Sequence, residues 1–103
     1  MRNRISVFLR RLGEDKRSPR WPALRRHFLL AHPVCAWCGA KSDLEVHHVQ
    51  PFHFFPEREL DPKNLVTLCE SLGWNCHLTV GHLGDWKKWN PGLLEDLLIA
   101  KRW

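Results

Sequence analysis

No stretch of this 103-residue sequence approaches the ~20 consecutive apolar residues that a membrane-spanning helix needs. The opening segment, MRNRISVFLRRLGEDK, has no apolar run long enough for a secretory signal, and Glu14 and Asp15 argue against a transit peptide. The expectation is a soluble, intracellular, cytoplasmic protein with no membrane partner. Internal repeats and low-complexity tracts are absent. Acidic residues are in short supply: 11 Asp and Glu face 16 Lys and Arg, leaving a formal net charge of +5 and a pI near 9.4. An apolar content of 44% and a charged content of 26% are those of a folded domain, not a disordered one. The length suffices for one domain and not for two. A core this small is often helped by a metal or by disulfides.

The positive charge is concentrated early, at Arg2, Arg4, Arg10, Arg11, Lys16, Arg17, Arg20, Arg25 and Arg26. A basic surface attracts phosphate backbones and gains affinity by releasing counterions. The plainer alternative is a solubilising surface. Residues 1–20 read as a basic N-terminal arm, with Ile5, Phe8 and Leu9 giving one helical turn of apolar face.

Residues 21–32, WPALRRHFLLAH, read as a helix with Pro22 in its first turn and Pro33 as its stop. Leu24, Phe28 and Ala31 would form its buried stripe. His27 and His32 read as surface residues. A tight Cys-x2-Cys turn follows in VCAWCG, then a strand over 44–49, a Pro-punctuated loop over 50–63 and a second strand over 65–68. A short helix is expected near Cys76. Asn90-Pro91 reads as a cap and first turn for a last helix over about 91–101, with Leu94, Leu97 and Leu98 on one side. The fold class is therefore α+β.

Four cysteines, Cys35, Cys38, Cys69 and Cys76, have no secretory context, and in a reducing compartment paired cysteines favour metal over disulfides. Zinc takes four tetrahedral thiolates, so all four cysteines together would make a closed structural site that contributes folding energy. The rivals are a redox Cys-x-x-Cys, which lacks the expected βαβ surroundings, and two buried unliganded pairs.

The stretch LEVHHVQPF sets two histidines side by side at a strand end. Adjacent strand residues point to opposite faces, so His47 and His48 cannot do the same job. One can hold a metal while the other faces a water. Asn64, His77 and His82 follow downstream. Phosphodiester hydrolysis asks for a base near neutral pH, which imidazole supplies, and for a cation on the phosphoryl group. The alternative is a set of surface or core histidines, since the chain has seven in all.

The run C-A-W-C-G, L-E-V-H-H-V-Q-P, L-D-P-K-N-L-V-T-L-C and C-H, spanning residues 35–82, resembles the HNH endonuclease family. The resemblance implies a small ββα-metal (HNH, or His-Me finger) domain over residues 21–103, with flanking helices and a zinc-binding core at about 35–85. It implies His47 and His77 as ligands of a catalytic divalent ion (Mg²⁺, Mn²⁺, Ni²⁺ or Zn²⁺), and His48 and Asn64 as catalytic residues: His48 as general base, and Asn64 as the motif's middle residue, which in most members holds the loop that carries the base and in some ligates the metal. It implies Cys35, Cys38, Cys69 and Cys76 as ligands of a structural Zn²⁺, with no small-molecule cofactor. The implied activity is hydrolysis of DNA, leaving a 5′-phosphate. A non-catalytic zinc-bound nucleic-acid-binding or assembly module is the alternative. The same motif serves phage packaging, restriction, homing and toxin roles, and phage or restriction-system proteins are the partners it implies.

Two departures stand out. The second cysteine pair is spaced Cys69-x6-Cys76, wider than usual, with Gly73 easing the loop. His82 lies five residues after His77, which on a regular α-helix rotates it by roughly 140°. A helix end or bulge at Gly81 would return it to the site as a third ligand; otherwise water or phosphate oxygens would fill that place. His53, between Phe52 and Phe54, reads either as a loop histidine packed among aromatics or as a phosphate contact. Among six tryptophans, Trp86 reads as core packing, and Lys87 and Lys88 as phosphate contacts.

Overall fold

The computed structural model describes residues 17–100. The apolar face at Ile5, Phe8 and Leu9, most of the basic arm, and Lys101 of the expected last helix lie outside the described residues.

The first helix, α1, spans Trp21–Ala31 with a proline in its first turn and no side-chain cap. The His32 amide closes its last turn on the Phe28 carbonyl at 2.8 Å, and Pro33 cannot continue it. Phe28 is buried against Val46 and Leu65, with Trp21, Leu24 and Leu29 packed around them. Ala31, expected in the buried stripe, is exposed. A lone methyl adds too little area to draw the helix end onto the sheet.

The Cys35–Ala40 segment folds back on itself. The Cys35 amide bonds Ala40, the Gly39 amide bonds Cys35, and Gly39 takes the left-handed φ of 82° that such a turn requires. Strands β1 (Leu44–His48) and β2 (Leu65–Cys69) pair antiparallel, with His48 opposite Leu65, His47 opposite Val66 and Leu44 opposite Cys69. Strand β1 ends one residue earlier than expected, although the Val49 amide still reaches the Asn64 carbonyl at 2.8 Å. All of β2 is buried, as its short apolar run suggests. It is sandwiched because α1 covers one face and the C-terminal elements the other.

After β2, the expected short helix is a single π-helical turn over His77–Gly81. The last helix, α2, covers Leu93–Ile99 and starts later than Asn90-Pro91 promised. Asn90 does not cap it. Its Oδ1 accepts the Gly92 amide at 3.0 Å while its Nδ2 donates to the Val80 carbonyl and to Asp96. Asn90 is thus a buried tie between the π turn and α2. Leu93 and Leu97, at i and i+4, are fully buried beneath β2, whereas Leu98, expected on that side, is 61% exposed. Seven residues do not hold a helix alone, so α2 owes its existence to these two leucines. Cutting Leu97 to alanine would cost about 2–5 kcal/mol.

Candidate metal centres and active site

The four cysteines converge. Cys35 and Cys38 come from the knuckle, Cys69 from the end of β2 and Cys76 from the head of the π turn, and their sulfurs all lie within 4.8 Å of one another. None is in a disulfide. The Cys38 and Cys69 sulfurs are 3.6 Å apart. A tetrahedron built on zinc–sulfur bonds of about 2.3 Å has edges of about 3.8 Å, so the spacing suits a tetrahedral ion. Burial pushes the Cys38 and Cys76 thiols up. At Cys69 burial also acts upward, but hydrogen bonds from the Cys76 and Ser71 backbone outweigh it and bring the thiol to about 6. The six-residue spacer is absorbed by a loop that carries Leu72 and Trp74 outward. Gly73, at φ 90°, lets it turn.

The histidine doublet divides as strand geometry demands. His47 points toward the π turn, and its ring lies 5.0 Å from that of His77 and 4.9 Å from that of His82. His77 and His82 are themselves 4.9 Å apart, so three rings surround one point at equal spacing. Their ligating nitrogens lie within 4.8 Å of one another. The π turn resolves the five-residue gap. Its wider winding brings residue i+5 back toward the face of residue i.

Gly81 is required there, because a Cβ would sit 3.0 Å from Leu68 and 3.1 Å from the His47 ring. His47 is 1% exposed and its Nε2 has no hydrogen-bond partner. A buried polar atom left without a partner is costly, and an ion at that point removes the cost. Burial, reinforced by His77, His82 and His48, lowers its pKa to about 3 and keeps the ring neutral, as a ligand must be.

The other two rings are aimed by contacts on their far nitrogens. His77 Nδ1 donates to the Glu70 carboxylate at 3.0 Å, and His82 Nδ1 donates to the Lys88 carbonyl at 2.6 Å. Each leaves Nε2 as the free lone pair, the arrangement that orients metal-binding imidazoles. Burial lowers the His82 pKa as well, against the pull of the Lys88 carbonyl.

His48 faces the other way, stacked on Trp21 at 4.6 Å. Its Nε2 donates to the Glu59 carbonyl at 2.9 Å, because a carbonyl only accepts. Nδ1 is therefore the unprotonated nitrogen. Burial holds the ring below its ordinary pKa, and the Arg17 guanidinium adds to that lowering.

Asn64 belongs to neither centre. It is 1% exposed, accepts the Gln50 amide at 2.8 Å, and donates to the Gln50 and Arg58 carbonyls at 3.0 and 3.1 Å. It clamps the loop between the strands and so fixes the end of β1 that carries the histidines.

An open cleft of about 250 Å³ exposes this arrangement, lined by His47, His48, His77 and His82 and by Arg17, Trp21, Arg25 and Phe52, among others. His53 is exposed, edge-on to Phe54, and does not line the cleft. Lys87 and Lys88 are exposed on the turn after Trp86.

Trp86 is not core packing. It is 51% exposed and lies 5.1 Å from the His77 ring and 5.0 Å from the His82 ring, covering one side of the cluster. Its position follows from Leu83 and Gly84, whose positive φ values turn the chain back over the histidines. Glu59 and Glu70 had no sequence signal of their own, since each acts through a contact that only the fold creates.

Residues 34–83 match the family model described as HNH endonuclease. No curated protein and no solved structure matches the chain. Among the described residues, no helix is long and apolar enough to cross a membrane.

Proposed function

Because an HNH domain occupies residues 34–83, we propose that this protein is a metal-dependent endonuclease that hydrolyses DNA phosphodiester bonds, with the basic arm at 1–20 adding affinity for the backbone. One observation carries the reading: His48, with its Nε2–H held by the Glu59 carbonyl and its Nδ1 unprotonated, lines the same cleft as three converging imidazoles.

His48 takes a proton from a water on Nδ1, while the Glu59 carbonyl holds Nε2–H and keeps the ring in the correct tautomer. The water oxygen bonds to phosphorus as the bond to the 3′-oxygen breaks, leaving a 5′-phosphate, and the departing 3′-oxygen takes a proton from solvent to become a hydroxyl. His47, His77 and His82 would hold a divalent ion. Such an ion would supply positive charge to the phosphoryl and leaving oxygens. Asn64 is a positioning residue that keeps His47 and His48 in register with the cleft. The four cysteines would hold a zinc ion whose role is folding. His53, Lys87 and Lys88 remain at the periphery, where the two lysines can meet flanking phosphates.

The test is nicking of supercoiled plasmid in the presence of Mg²⁺, Mn²⁺, Ni²⁺ or Zn²⁺, with EDTA as a control. Removing a general base typically costs about 10²–10⁴-fold, so His48→Ala should lose that much activity while retaining bound zinc. Equal nicking by the variant, or none by the wild type under any metal, refutes the reading. The second outcome, with DNA still bound, would favour the non-catalytic zinc module.

A further inference from the structure

Two guanidiniums line the cleft, and they are held differently. Arg25 is paired at 3.0 Å with Glu45, itself part of the cleft wall. Arg17 is held from behind. Its guanidinium carbon sits 4.5 Å over the Phe52 ring and 5.4 Å over the Trp21 ring, and Trp21 in turn stacks on His48. The nearest carboxylate oxygen of Glu59 is 3.9 Å away, in a side chain only 2% exposed, while Arg17 is 47% exposed.

Glu59 has two attachments to the site. Both of its carboxylate oxygens accept the Ser18 amide at 3.1 Å, which pins the chain at Arg17. Its backbone carbonyl accepts His48 Nε2–H. One buried residue therefore sets the position of a cation and of the base beside it. A planar guanidinium lying over two aromatic rings is partly restrained beforehand, and its fork matches two phosphate oxygens.

We infer that Arg17 is a phosphate-binding residue of the cleft, and that Glu59 is the positioning residue that sets it against His48. The inference rests on the endonuclease reading for its substrate class, the phosphodiester of DNA. Arg17 and the histidine cluster line the same cleft, so a phosphate seated there can meet both.

Arg17→Ala, Arg17→Lys, Glu59→Gln and the double variant Arg17→Ala/Glu59→Gln are compared with wild type and with Arg26→Ala, an exposed arginine of α1 outside the cleft. Bound zinc and the thermal midpoint report the fold. Arg17→Ala is expected to lower kcat/KM by about 100-fold, the scale of losing one charge-stabilising donor, with Arg17→Lys in between. Glu59→Gln keeps the acceptor for Ser18 but loses the charge facing Arg17. In that background Arg17→Ala should cost clearly less than in wild type, a coupling that a purely structural role would not produce.

Binding to a short duplex is measured separately in the His48→Ala background at several salt concentrations. There Arg17→Ala should reduce the log–log salt slope by about 0.9, one phosphate contact. An unchanged slope and rate for Arg17→Ala in a protein that nicks DNA overturns the inference alone. So does a loss at Arg26→Ala equal to that at Arg17→Ala, which would reduce the effect to net charge. Additive losses in the double variant overturn the role of Glu59. A wild type that nicks nothing, but whose binding and slope fall with Arg17→Ala, overturns the nuclease reading and keeps the phosphate site. Failure of the wild type to bind any DNA overturns both.

Discussion

The cysteine cluster and the histidine cluster stand at opposite ends of the same short hairpin, and they differ in one decisive respect. Four thiols converge around one point, three of them buried and Cys38 exposed, so that centre offers the four ligands of a complete tetrahedral set. Three imidazoles converge at the other centre, which opens into a cleft beside a fourth histidine held apart from them. Closed four-ligand sites stabilise, while sites with an open position do chemistry. The π turn links the two, with Cys76 at its head and His82 just past its end. One structural element therefore contributes to the cysteine cluster and to the histidine cluster together.

The largest effect that would test this contrast is loss of the closed site. Cys35→Ser should abolish stoichiometric zinc and leave the chain largely unfolded, read by metal analysis and circular dichroism, because zinc binding in small domains is itself folding energy. His47→Ala should do the reverse, abolishing cleavage while zinc and fold persist. A chain that folds normally without zinc would erase the distinction.

Next in size is Asn64→Ala. It strands the Gln50 amide and the Gln50 and Arg58 carbonyls in a half-buried loop, at a cost of about 1–3 kcal/mol in chemical denaturation. Activity should fall with it although no ligand is touched.

Gly81→Ala sharpens the comparison further. The new methyl must displace either Leu68 or the His47 ring. Metal affinity at the histidine centre, measured by calorimetric titration of zinc-loaded protein, should drop about 10-fold or more while the cysteine centre keeps its ion. Glu70→Gln should produce a milder loss at the same centre, since it weakens only the group that orients His77. Equal loss at both centres in either variant would show that they are not separable.

The smallest effect is one of pH. In the fold, burial first and the neighbouring histidines second hold the His47 pKa at about 3, against 6.5 for the free side chain. Below 6.5 the unfolded chain takes up a proton that the folded chain refuses, so stability is intact above 6.5 and is lost as pH falls toward 3. Protein with zinc in the cysteine site and none in the histidine site should show a falling thermal midpoint from pH 7 to 5. His47→Gln should flatten part of that fall. An identical slope in the variant would mean that His47 does not carry it.

Much of this was legible in the chain before any fold was known. The alternation of a strand separated His47 from His48, and the structure places them on opposite faces, one toward His77 and His82 and one against Trp21. Cysteine pairing by spacing anticipated the four-sulfur cluster, and Pro22 and Pro33 marked the bounds of α1 within a residue. The C-terminal helix was read less well. Asn90-Pro91 looks like a cap in isolation, but Asn90 is recruited by Val80 and Asp96, partners that sequence spacing does not bring into view. Trp86 was misplaced for the same kind of reason: the backbone reversal at Leu83 and Gly84 turns it onto the histidines rather than into the core.

The sequence by itself determined the inventory of donors and which neighbours must point apart, because local periodicity and ligand chemistry are properties of residues a few positions distant. Tertiary structure alone decided that His82 joins the cluster, that Gly81 makes room for His47, and that Glu59 grips both His48 and the chain at Arg17. Those outcomes depend on a π turn stabilised by packing and on contacts reaching across as many as 41 positions of chain. Local spacing carries no information about which distant partner will close such a contact.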